Sequence, residues 1–192
     1  MNPLRNIFRG SSKKAQPVKG CENKPSTDVV PERNVSPKEV KKSWKIELVE
    51  AFIQKWSEHD MGGAHAMVTD DFVIVFASAD NMELEYQDYV AETTKVFEAF
   101  PDFNFRYESL TEGRDGVVLW KNVVPNGHHT AKPYAFGPCD PIEPTGKYVE
   151  NSPETGTFYF KDGKIAKMMV VAHGEMTGPA GIYTQLGGFP LM

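Results

Sequence analysis

Five histidines are the side chains of this sequence best suited to acid–base work near neutrality, since imidazole alone among unperturbed side chains changes charge between pH 5 and 8. They stand at His59, His65, His128, His129 and His173. His59 ends an apolar-periodic stretch, where a cation suits a helix C-terminus, and His65 falls in the Gly-rich connection that follows. His128 and His129 are adjacent, so on a strand their rings point to opposite faces and cannot both reach one ion. No HxH or HxxxH spacing joins any of them to Glu175 or to each other, and the reading is therefore of no metal site. Cys139, between Pro138 and Asp140, lacks the surroundings of a nucleophile. Neither a Gly-rich phosphate loop nor a Ser nucleophile elbow occurs. The acids Glu83, Glu85 and Asp88 read as a solvated face, and a place for Glu175 at a pocket mouth beside His173 is the minority alternative.

The elements that must position these residues follow from periodicity. Ser36-Pro37-Lys38-Glu39 has the form of a helix start. Apolar residues recur at Val40, Trp44, Leu48, Phe52 and Trp56, widened by Val49 and Ile53, so an amphipathic helix is expected over 37–59. Gly62-Gly63 interrupts it, and 64–67 forms a further turn. Phe72 to Phe76 reads as a strand, and a second helix fits 86–99 before Pro101. From Phe103 the period becomes two, with Phe105 and Tyr107 alternating against polar neighbours. A turn at 112–116 leads to a strand from Val117 to Val124, and Pro125-Asn126-Gly127 marks a bulge or turn. Residues 131–153, rich in proline and glycine, are expected to be a long irregular loop of the functional kind. Strands 156–160 and 165–173 pair across Lys161-Asp162-Gly163-Lys164, and 178–186 is a short terminal helix. Helices against one face of a run of antiparallel strands give an α+β fold. Along 165–173, both alternating sets of side chains are apolar, so the pattern leaves open which set faces inward.

The 192 residues weigh 21.5 kDa and are 40% apolar and 24% charged, which suits one globular domain. The formal charge is −5, against the balance of a phosphate-backbone binder, so no nucleic-acid partner is expected. Charge is uneven: residues 1–42 carry a net +6 and the remainder a net −11. Residues 1–36 are read as a disordered basic tail, with the domain proper over 37–192. Residues 1–14 lack acids and could act as an organelle-targeting segment; otherwise two cysteines without a disulfide framework point to the cytoplasm. No apolar run is long enough to span a membrane.

Gly127-His128-His129-Thr130, Pro144-Thr145-Gly146-Lys147, Asp162-Gly163-Lys164-Ile165 and Thr184-Gln185-Leu186-Gly187 occur in the order and spacing of a known family. With the helix from 37 and Asp71-Phe72-Val73, the stretch 37–187 resembles the SnoaL-like polyketide cyclases of the nuclear transport factor 2-like superfamily. The resemblance implies a cone-shaped curved sheet around helices, an internal cavity, a homodimer, and ring closure by intramolecular aldol chemistry without a cofactor. It implies a catalytic histidine at His129 and a catalytic acid at position 173, where this chain has His173 instead. Two imidazoles can still share acid and base roles, and a small hydrophobic, oxygenated ligand is expected between them. Phe72, Phe76, Phe105, Trp120, Tyr134, Phe136, Met169 and Tyr183 are the candidate walls of its cavity. The substitution at position 173 equally suits a non-catalytic ligand carrier or dimerisation module on the same scaffold.

Overall fold

The apolar stripe does form a helix, and its buried face is Val49, Phe52, Ile53 and Trp56, spaced three and four apart as one face of a helix requires. This helix, α1 (Trp44–Ser57), begins later than the expected 37: Ser43 is extended and its hydroxyl accepts from the amide of Ile46 at 3.4 Å. Trp44, expected in the buried stripe, is 49% exposed, with its ring edge-on to Phe160. The computed structural model describes residues 42–175 and 177–189. The expected tail over 1–36 and the helix start at Ser36 lie outside those residues.

A short α2 (Met61–His65) is followed by β1 (Val68–Phe76), β2 (Met82–Glu85) and α3 (Tyr86–Ala99). Then come β3 (Asn104–Glu112), β4 (Val118–His128), β5 (Tyr148–Glu150), β6 (Glu154–Lys161), β7 (Lys164–Ala172) and α4 (Gly178–Leu186). The sheet runs β2-β1-β7-β6-β4-β3, with β5 also pairing to β4. It is mixed, because β1 lies parallel to β7, whereas the sequence pattern suggested antiparallel pairs throughout. The result is a curled α+β half-barrel with the helices packed in its concave side. Asp162 and Gly163, at φ 51° and 78°, close the β6–β7 hairpin in the doubly left-handed turn that matches strand twist.

Two irregularities set which side chains enter the concave face. Pro125 does not end β4; the strand continues to His128, and the β3–β4 register slips between Asn104/Arg106 as a bulge. On β7 the register slips beside Ala166, between Tyr159/Phe160, so that Ile165 and Met168 both turn inward. Beyond it, the inward row is Met168, Val170 and Ala172, facing Phe158, Gly156 and Glu154 across β6. Gly156 is required there by close approach: a Cβ would lie 2.6 Å from the Met169 carbonyl and 2.7 Å from the Trp120 ring.

Candidate active site

The concave side encloses a cavity of about 630 Å³. Phe52, Ile53 and Trp56 of α1 and Tyr89, Thr93 and Val96 of α3 form one wall. The sheet supplies Phe76, Phe105, Trp120, Phe158, Met168 and Val170, and Phe136 and the start of α4 stand at its end. An apolar enclosure of this size is what a small hydrophobic ligand needs. The indole N–H groups of Trp56 and Trp120 and the Oδ1 of Asn151 are buried among these walls without partners. Unpaired buried polar atoms are costly, so the wall's polar demand is unmet by the described protein atoms alone.

Neither expected histidine lines this cavity. His129 is fully buried behind it, stacked on Phe100 at 5.0 Å. Its Nε2 donates to the Lys132 carbonyl at 3.1 Å, and its Nδ1 accepts from the Thr145 amide at 3.4 Å. Both nitrogens are thereby engaged in holding the 129–145 loop, and burial lowers the imidazole's pKa. His173 is exposed on the opposite parity from Val170 and Ala172, with Nε2 2.8 Å from the Thr155 hydroxyl. The structure therefore does not bring the two rings together.

Of the eight expected wall residues, Phe76, Phe105, Trp120 and Phe136 line the cavity. The other four are displaced for identifiable reasons. Phe72 is packed beneath the floor between Phe52 and Tyr86, with ring centroids 6.4 and 5.9 Å away. Tyr134 and Tyr183, the latter on α4, are turned away from the cavity, their hydroxyls donating to the carbonyls of Pro179 and Asp140 at 3.1 and 2.6 Å. Met169 sits on the outer face of β7, since Met168 and Val170 take the inward positions.

Among the charged side chains on the lining, Glu92, Arg106, Glu154 and Glu175, the one held by hydrogen bonds from two other elements is Glu154, at the first position of β6. Its Oε2 accepts from Asn122 Nδ2 at 3.1 Å, its Oε1 accepts from the Thr177 hydroxyl at 3.3 Å, and its amide donates to Asn122 Oδ1 at 2.8 Å. Burial pushes the carboxyl up to about 7, against a partial downward pull from the Thr177 hydroxyl. Tyr89 beside it is raised by burial and by the charge of Glu154. A carboxyl that is half protonated near neutrality in an apolar cavity can either take or give a proton there. Sequence alternation contained a signal for it: Glu154 shares parity with Gly156 and Phe158, and Asn122 interrupts the inward series Val118 and Trp120. Among the described residues, no three histidine, cysteine or acidic side chains converge as a metal site.

The model of the SnoaL-like domain matches residues 49–168, and the chain belongs to that family, with its nuclear transport factor 2-like fold. Among solved structures it is similar to AclR of Streptomyces galilaeus, a candidate hydroxylase, at 20% identity and a TM-score of 0.58 over 76% of this chain and 97% of that one. It is likewise similar to IdmH of Streptomyces antibioticus, a candidate polyketide cyclase (15% identity, TM-score 0.55, 75% and 99% covered). A candidate SnoaL-like polyketide cyclase from Jannaschia sp. CCS1 gives 21% identity and a TM-score of 0.52, with 68% and 88% covered. Comparison with curated proteins gives no match. No helix among the described residues is long and apolar enough to cross a membrane.

Proposed function

We propose that this chain is a small-molecule enzyme of the cyclase or isomerase kind, which moves a proton on a hydrophobic, oxygenated substrate with Glu154 as acid–base group. The supporting observation is a buried carboxyl, poised near pH 7, in a cavity walled mainly by aromatic and aliphatic side chains, with Glu92, Arg106 and Glu175 also on its lining. Removal of a proton alpha to a carbonyl needs a base whose pKa lies close to the working pH. Exclusion of water strengthens each polar contact made in such a site. The carbon–hydrogen bond breaks, Glu154 takes the proton, and the substrate's enolate is left to attack a second carbonyl or to be reprotonated elsewhere. No electron acceptor or donor enters this balance.

The test uses an enolisable benzo-fused cyclic ketone, 2-tetralone, in deuterated buffer at pH 7. The protein is expected to accelerate exchange of its alpha protons, followed by NMR, above the rate in buffer alone. Binding of the ketone without accelerated exchange would replace the enzyme reading with that of a ligand carrier.

The working molecule is proposed to be a cytoplasmic homodimer. Leu119, Val123 and Tyr159 are exposed on the convex face of the sheet, where a second copy would cover them. Sedimentation equilibrium is expected to give twice 21.5 kDa, and Leu119→Lys to shift it toward the monomer; a monomeric native mass would remove the dimer from the reading.

A further inference from the structure

We infer that Asn122 and Thr177 are positioning residues for Glu154, fixing its carboxyl on the cavity side and leaving Oε1 as the oxygen that exchanges a proton. This rests on the reading of Glu154 as the proton-transferring group. β4 pairs with β6 as far as Lys121↔Thr155 and takes up β5 only from Asn126↔Glu150. Asn122 stands in the gap, and its side chain, 2% exposed, receives the Glu154 amide that the backbone ladder no longer serves. Because Oδ1 accepts from that amide, Nδ2 must face the carboxyl, where it donates to Oε2. Two bonds between the same pair of residues leave the carboxyl little freedom to rotate.

The amide nitrogen can only donate, so Oε2 must remain an acceptor in both protonation states. Thr177 differs. It occupies the N-cap position of α4 but makes no capping hydrogen bond, and its hydroxyl instead reaches Oε1. A hydroxyl rotates freely between donor and acceptor, so it can donate to the carboxylate and accept from the acid. The proton therefore resides on Oε1, on the side of the cavity next to α4. Tyr89 and Glu92 of α3, Arg106 of β3 and Glu175 before α4 are the titratable and charged groups sharing this cavity. Substitutions at 122 and 177 alter none of them.

The experiment is an infrared pH titration of the intact protein, with the Glu154 carboxyl band assigned by its loss in Glu154→Gln. Loss of a donor to the ionised form raises a carboxyl pKa, so Thr177→Val is expected to move the midpoint up by about one unit. Thr177→Ser is expected to restore the native midpoint, which a role in packing alone would not do. Asn122→Leu is expected to move it in the same direction as Thr177→Val. An unchanged midpoint in a folded Thr177→Val protein would overturn the inference, as would failure of Thr177→Ser to restore it. The titration needs no substrate, so absent ketone exchange alongside shifted midpoints refutes the enzyme reading and leaves the positioning intact.

Discussion

Glu154→Gln is expected to lower the alpha-proton exchange rate by about 10²- to 10⁴-fold, the usual contribution of a positioned general acid or base. The substitution keeps shape and one acceptor oxygen, so Asn122 retains a partner and the fold has little reason to change. What is lost is the capacity to carry a proton. His173→Ala is expected to exchange at the native rate, because that ring is exposed and its near neighbour is Thr155, outside the cavity. The pair of variants separates two chemistries on one scaffold. If His173→Ala abolishes exchange and Glu154→Gln does not, the histidine reading drawn from the family resemblance is correct and the carboxyl reading is wrong. The affinity for 2-tetralone should survive in both variants, since Phe76, Phe105, Trp120 and Phe136 supply the apolar contact.

The scaffold was written clearly in the sequence because its punctuation is local. Pro101 stands just beyond α3, and Gly187, at φ 104°, caps α4 in the left-handed region that glycine favours. Asp162-Gly163 turns β6 into β7 by the same logic. Each of these signals acts over three or four residues, so one sequence suffices to read it. The start of α1 was misplaced because Ser36 with Pro37 makes the stronger-looking signal, whereas the cap among the described residues is Ser43. β2 escaped notice because Met82-Glu83-Leu84-Glu85 alternates over only four residues, and its pairing to β1 is what makes it a strand.

The site was far less readable, and the cause is parity. On β7 both alternating sets are apolar, and a bulge beside Ala166 changes phase within the strand. Composition cannot reveal an extra residue in a ladder, because the bulge is defined by the partner strand. The placement of His173 and Met169 inside the cavity depended on that phase. His129 lies off the cavity for a different reason. A histidine in a wall looks the same in sequence whether it faces a ligand or, as here, a carbonyl and an amide of its own loop. The surroundings of Glu154 are not legible in the sequence, because they are assembled from β4, β6 and the N-cap of α4 and form no contiguous motif.

Stability should carry the signature of the same carboxyl. In the folded chain Glu154 titrates at about 7, above its ordinary value of 4.5. Between those values the native state holds more protons than the unfolded chain, so the free energy of unfolding falls as pH rises. The contribution is fully present below pH 4.5 and is lost as pH rises through 7. Allowing for the solvent that reaches the cavity, the native protein at pH 8 should be less stable than Glu154→Gln by about 2 kcal/mol. Below pH 4.5 this difference should vanish, since the native protein then buries a neutral acid as the variant buries a neutral amide. Glu50, Asp60, Asp71 and Asp102 act in the opposite sense, their pKa values lowered, but they are common to both proteins and cancel in the comparison. Urea unfolding of the two proteins across pH 4 to 8 measures the difference directly. A gap that stays constant with pH would mean that the carboxyl is solvated like any surface glutamate. The cavity would then hold no poised group, whatever the exchange assay reports.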